Sequence, residues 1–295
     1  RTQGRRGDER AMKVHGIGHG CAGISFLHAA GCGTGCAVPI ELVTTVMLTD
    51  VPTPIPEDES RLLDLLLEGW SSRNLSLPQG KLGWVVKSEI PIGMGLKSST
   101  ALLVAAQRAL CDATETDMSA AMCNNLLSSV QLAAGVSITE AMDDITVSSD
   151  RSIPWLVAAT DIVEPLSESV IVPMKEVFIV IRNQSKAEVN ITEFHNRRGH
   201  FEDVVRMLRT DRSLEAFRLN GQLVAEVLGD DEATRLCEDI EIETNCPAAI
   251  TGSGPAIVVL ADANQADKLS QFLDIRELNW IRTRMSIDQK FEVVT

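Results

Sequence analysis

Pro91-Ile92-Gly93-Met94-Gly95-Leu96-Lys97-Ser98-Ser99-Thr100 runs without a break into Ala101-Leu102-Leu103-Val104-Ala105-Ala106-Gln107-Arg108-Ala109-Leu110. Glycines at i and i+2 free the backbone to take up strained dihedrals, and Lys97, Ser98, Ser99 and Thr100 bring one charge and three hydroxyls to a helix start. The first N–H groups of a helix have no partner within it and carry the positive end of its dipole, so this junction is suited to hold an anion such as a phosphate. A glycine turn that merely caps a buried helix is the competing reading, and the residues alone leave the two evenly matched. The common phosphate loop, Gly-x4-Gly-Lys-Ser/Thr, is absent.

Around this junction, residues 82–90 read as a strand feeding the loop, and residues 99–110 as a helix apolar nearly all round, hence buried. Upstream, residues 36–48 read as a strand rich in Val and Thr. Pro52, Pro54 and Pro56 mark a loop, and residues 57–70 form a leucine-rich helix. Downstream come a helix over 117–134 and then Asp143-Asp144, which on the residues alone is a helix cap or solvated turn as readily as a pair of reactive acids. Residues 152–172 read as irregular.

Beyond them a strand over 177–181 precedes helices over 191–210, 213–228 and 231–243. A second glycine loop, Thr251-Gly252-Ser253-Gly254-Pro255, leads into a buried strand, followed by a helix over 265–273 and strands over 280–285 and 290–294. That order fits an α+β protein whose second half is a split βαβ sandwich. The expected division is a tail over 1–11, one domain over 12–172 and another over 173–295.

A chain of 295 residues accommodates two such domains, and 44% hydrophobic with 23% charged residues is a globular balance. The net charge of −14 argues against nucleic acid as a partner, and any anionic ligand then needs its own local cations or helix ends. Neither a long apolar run nor a leader pattern is evident, so no membrane span and a cytoplasmic location are expected. Seven scattered cysteines suit reduced thiols better than disulfides.

Two patterns invite other readings. Gly16-Ile17-Gly18-His19-Gly20-Cys21-Ala22-Gly23 contains a formal Gly-x-Gly-x-x-Gly, which would suggest a dinucleotide-binding oxidoreductase. The candidate helix after it, 24–30, is stopped by Gly31, Gly33 and Gly35. His15 and His19 have metal-pair spacing, but the interleaved glycines make a helix there improbable.

The order Pro-x-Gly-x-Gly-Leu-x-Ser-Ser resembles the phosphate-binding motif of the GHMP kinases, and Gly-Leu-Lys-Ser-Ser is similar to that of the archaeal type of shikimate kinase. Ala22 to Glu41, Leu219-Asn220-Gly221 and Thr251 to Ala256 also resemble that family, in the right order. The resemblance implies a GHMP kinase fold: an N-terminal domain like ribosomal protein S5 domain 2, plus a C-terminal ferredoxin-like α/β sandwich. It further implies a kinase that moves the γ-phosphate of ATP, with Mg²⁺, to the 3-hydroxyl of shikimate in aromatic amino acid (chorismate) biosynthesis. A GHMP kinase of another small alcohol, homoserine or mevalonate, is the alternative.

By the same resemblance, Pro91, Gly93, Met94, Gly95, Leu96, Lys97, Ser98 and Ser99 hold ATP together with Gly252, Ser253 and Gly254. Ser99 bears the metal-binding hydroxyl, and Lys97 adds charge beside the phosphates. Asp143 takes the proton of the substrate hydroxyl. The adjacent Asp144 is expected to point elsewhere, and Arg282 and Arg284 are candidates to hold the shikimate carboxylate because the planar guanidinium fork suits that geometry. The chain departs from the family at Glu140 and Thr34, where Gly and Lys are usual. No acidic metal ligand stands out among Asp112, Glu115 and Asp117.

Overall fold

A computed structural model describes residues 12–52, 60–137, 142–149, 154–158, 167–185 and 188–287. The tail over 1–11, Pro54, Pro56, Glu140 and the strand expected over 290–294 lie outside these residues.

The chain opens as a long antiparallel pair, β1 (Val14–Leu27) and β2 (Thr34–Thr49), joined by the single turn α1 (Ala29–Cys32). Gly33 ends that turn at φ +75°, a conformation only glycine takes without strain. So residues 24–30 finish a strand and begin a turn; no helix starts at Ile24. The C-terminal half of β2 pairs with β3 (Gly83–Ser88). Its N-terminal half pairs with β4 (Trp155–Ala158), beside which lies β5 (Ser167–Ser169). These last two strands fall inside the stretch that reads as irregular, because segments of three or four residues leave too little alternation to show.

Helices α2 (Leu62–Ser72), α3 (Ser98–Thr114), α4 (Ala120–Ala133) and α5 (Asp143–Ser149) accompany this sheet. The glycine run in β1 is explained by α3. A Cβ on Gly16, Gly18 or Gly20 would lie 2.3, 2.1 or 2.1 Å from the carbonyl oxygens of Ala109, Ala105 and Ala101. Two strand residues span about 6.6 Å and four helix residues about 6 Å. Alternate glycines therefore mesh with every fourth alanine, and α3 lies directly on the strand backbone. The Gly-x-Gly-x-x-Gly pattern is a packing seam inside a strand, and the strand-turn-helix of a dinucleotide site is absent there.

The second half contributes β6 (Glu176–Val180), α6 (Ile191–Asn196), α7 (Arg198–Leu208), α8 (Ser213–Leu228), α9 (Asp231–Thr244), β7 (Ala248–Ile250), β8 (Ile257–Ala261), α10 (Ala266–Ile275) and β9 (Trp280–Arg284). Its antiparallel sheet runs β7-β8-β6-β9, the strand order of a split βαβ sandwich. The helix read over 191–210 is two helices, broken at Arg197, whose φ of −105° leaves the helical range. Ile24, Phe26 and Leu27 of β1 join Phe178, Phe217 and Val258 in one buried cluster, so the two sheets share a core. Leu66, Trp70, Leu103 and Leu127 form a second core under α2 to α4.

Candidate active site

The loop before α3 is pinned at Leu96, which is fully buried and whose carbonyl accepts from the Gly23 N–H at 3.3 Å. Met94 packs partly into the shared core. Gly93, Gly95 and Lys97 all sit at positive φ, at +73°, +76° and +65°. At Gly95 that conformation comes with contact: a Cβ would stand 2.1 Å from the carbonyl oxygen of Thr251, and one on Gly252 would stand 2.7 Å from the carbonyl oxygen of Gly95. The two glycine loops thus meet backbone to backbone, although more than 150 residues separate them in sequence.

A cleft of about 130 Å³ opens where they meet, and Gly93, Gly95, Lys97, Ser98, Ser99, Gly252 and Ser253 line it. Asp143 and Asp144, in the first turn of α5, form its opposite wall. Thr100 is held below by Gln131, whose Nε2 donates to its hydroxyl at 2.8 Å. A second cavity of about 260 Å³ adjoins. It shares Ser98 and Ser99 and is otherwise walled mainly by Leu62, Val86, Ile90, Ile92 and Leu102.

Lys97 reaches across the cleft to the acids. Its Nζ pairs with Asp144 Oδ1 and lies 3.8 Å from Asp143 Oδ2. Burial disfavours the ammonium, but Asp144 and Asp143 more than offset it and hold its pKa above the ordinary lysine value. Asp143 is 5% exposed, and a Cβ on Gly35 would sit 2.3 Å from its Cγ, so that glycine is the floor on which the carboxyl rests. Burial and the adjacent Asp144 push the Asp143 carboxyl up to about 7, against the pull of Lys97. Burial acts on Asp144 too, yet Lys97 keeps that carboxyl below the usual range. Asp144 therefore does not point elsewhere. Both acids face the same cleft and share one lysine, because a helix start directs the first-turn side chains to the same end.

Arg282 and Arg284 are not brought to this cleft. They sit on β9 with exposed guanidinium groups, their Nε atoms 3.1 Å from Glu176 and 3.2 Å from Glu41. Alternation on a strand puts both on one face, and that face is occupied by carboxylate partners. Asp112 accepts the Ile17 N–H at 2.8 Å near the C-terminal end of α3, the end away from the loop. Among the described residues no three His, Cys, Asp or Glu side chains gather as a metal cluster. Mg²⁺ held largely by phosphate oxygens and water needs only a hydroxyl or a carboxylate from the protein, and Ser99 can supply the former.

Sequence reasoning passed over His28, Gln131 and Gly35. Only the halted helix at Gly31, Gly33 and Gly35 hinted at them, because glycine spacing shows where a chain must turn and not what rests on it.

With this geometry in place, comparison with known proteins gives a consistent picture. Residues 61–149 match the GHMP kinases N terminal domain. A shikimate kinase of Thermococcus kodakarensis is 30% identical over 194 residues, 63% of this chain and 66% of the relative. One of Pyrococcus furiosus is 28% identical over 144 residues, 46% and 52%, so the chain spans less than two thirds of either relative. One of Archaeoglobus fulgidus is 26% identical over 262 residues, 84% and 85%.

Among solved structures, mevalonate kinase of Methanococcus jannaschii superposes with a TM-score of 0.69 at 14% identity, over 91% of this chain and 98% of that one. The galactose complex of Lactococcus lactis galactokinase gives 0.68 at 12%, over 96% and 95%. At such identities the likeness speaks for the fold alone. Residues 61–149 thus carry the GHMP kinases N terminal domain, and the chain has the GHMP kinase fold, with two glycine loops meeting at a helix start.

Proposed function

We propose that the protein is an ATP-dependent small-molecule kinase and that its acceptor is shikimate. The observation that carries the kinase reading is the meeting of the two glycine loops at the start of α3, facing a buried carboxyl at Asp143. The comparisons with archaeal shikimate kinases support the acceptor.

The residues fit ATP and Mg²⁺. Free N–H groups at the start of α3, positive-φ glycines with no side chain in the way and the Ser98 and Ser99 hydroxyls make a phosphate cradle. The apolar cavity beside it is of a kind that holds a nucleobase. Bound there, the nucleotide supplies the phosphoryl group and the metal neutralises its oxygens. The chain positions and balances charge. Ser99 offers its hydroxyl to the metal, and Asp143 orients the acceptor hydroxyl and takes its proton. Lys97, tethered by Asp144, keeps Asp143 ionisable and stands near the incoming charge. Pro91, Met94 and Leu96 act by fixing the loop.

No described helix is long and apolar enough to cross a membrane. A cytoplasmic location is part of the proposal, because ATP is its phosphoryl donor. A kinase of homoserine or mevalonate is the second reading, which the fold shared with mevalonate kinase keeps in view. Coupled ADP release across shikimate, homoserine and mevalonate separates them. Turnover with shikimate is expected, and turnover with another of the three alone would move the assignment.

A further inference from the structure

His28 stands at the end of β1 and lines the cleft. Its backbone N–H donates to Asn220 Oδ1 on α8 at 2.8 Å, and Asn220 is fully buried. Its ring stacks on Phe194, with centroids 4.6 Å apart. As N-cap of α1 it accepts the Ala30 N–H at Nδ1, at 3.2 Å. An acceptor at Nδ1 cannot carry the proton, so the neutral ring must carry it at Nε2. Nε2 lies 3.1 Å from Ser253 Oγ, which makes His28 the donor and the Ser253 oxygen the acceptor. A hydroxyl that accepts at its oxygen keeps its own O–H available as a donor to another acceptor. Ser253 is 7% exposed and lines the cleft in the closing glycine loop, beside the phosphate loop.

We propose that His28 is a positioning residue for phosphoryl transfer. Its fixed tautomer holds the Ser253 hydroxyl as a hydrogen-bond donor toward the oxygens of the transferred group. This rests on the kinase reading above. It assigns a role to a side chain that the cap alone would not require, since Asn or Ser would cap α1 equally well. The donor chain from Ala30 through His28 to Ser253 is preorganised by the Asn220 bond and the Phe194 stack, so little reorganisation accompanies the charge that develops on the phosphoryl oxygens.

Two substitutions divide the ring's functions. His28→Asn keeps an acceptor near the Nδ1 position for the cap and removes the donor to Ser253. His28→Gln places an amide N–H near the Nε2 position and forfeits the cap. His28→Asn gives up the Phe194 stack but keeps the cap, so it should melt less far below the parent than His28→Gln does, and it should lose about tenfold in kcat with little change in KM. His28→Gln should melt lower and recover part of that loss.

The double variant His28→Asn/Ser253→Ala should be no slower than Ser253→Ala alone, because the two act as one unit. Additive losses, or a His28→Gln enzyme as slow as His28→Asn, would overturn the proposal. Nitrogen-15 NMR of the histidine rings, with His28 assigned by its loss in His28→Asn, gives a reading independent of turnover. The Nε2–H form is expected and the Nδ1–H form refutes the proposal. An enzyme inactive on every alcohol but showing the Nε2–H ring would instead count against the kinase reading.

Discussion

Asp143 and Lys97 have to be considered together, because each sets the charge state of the other. On the role proposed for Asp143, Asp143→Asn removes the proton acceptor and should lower turnover by roughly 10² to 10⁴ while ATP binding changes little, measured as kcat and nucleotide affinity. A carboxyl raised to about 7 in the fold binds its proton more tightly folded than unfolded. Its contribution to stability is therefore fully present at low pH and lost as pH rises through about 4 to 7. Asp143→Asn should accordingly melt no lower than the parent at pH 8, and a large drop in melting temperature there would make the carboxylate a structural group.

The same coupling fixes the pH–rate profile. The acid limb of kcat/KM should lie near 7, where Asp143 loses its proton. Lys97→Met removes the cation that favours the carboxylate and should move that limb upward. Asp144→Asn removes a neighbouring negative charge and should move it downward. Limbs that move together, or in the opposite sense, would detach Asp143 from the proton transfer. The sequence made Asp143, Lys97 and Ser99 visible as residues. It could not show that Lys97 crosses to the acids, because side-chain direction at a positive-φ helix cap has no signature in the chain. Nor could it show that Arg282 and Arg284 end up on a face already paired with Glu176 and Glu41.

At the level of elements, the seam between β1 and α3 connects packing to the site, since α3 presents Ser98 and Ser99. Gly20→Ala puts a Cβ 2.1 Å from the Ala101 carbonyl oxygen, one turn into that helix. Overpacking of this kind costs about 1–3 kcal/mol, and the displaced helix start should raise KM for ATP. Gly33→Ala is the comparison. Its Cβ meets nothing within 4 Å, so only the left-handed φ is strained, at about 1 kcal/mol and with ATP use unchanged. Denaturant melts and ATP kinetics on both variants test this, and equal effects would mean the seam does not set the loop.

Long periodic elements were legible in the sequence. Residues 213–228 form α8 as read, and 231–243 lies within α9. The glycines of β1 were visible but not their partner, because close backbone approach is a relation between distant segments. β4 and β5 were hidden because their pairing, not their composition, makes them strands.

At the scale of the molecule, the two sheets share one buried cluster, and the candidate cleft lies where the two glycine loops touch. We place the division between the two halves at 172/173, and the cluster joining Phe26 to Phe178 and Phe217 argues that they do not unfold separately. Fluorescence of Trp70 and Trp84 in the first half and Trp280 in the second should follow a single denaturant transition coincident with circular dichroism. Two resolved transitions would show independent halves.

The claim at the centre is that this cleft transfers a phosphoryl group to shikimate with Asp143 as base. Phosphorus NMR of ATP, Mg²⁺ and shikimate with the protein tests it in one tube. The expected result is a phosphate monoester signal growing at the expense of the γ-phosphate, and its near-absence with Asp143→Asn. Unchanged ATP, free inorganic phosphate without ester, or ester formed equally well by Asp143→Asn would contradict it.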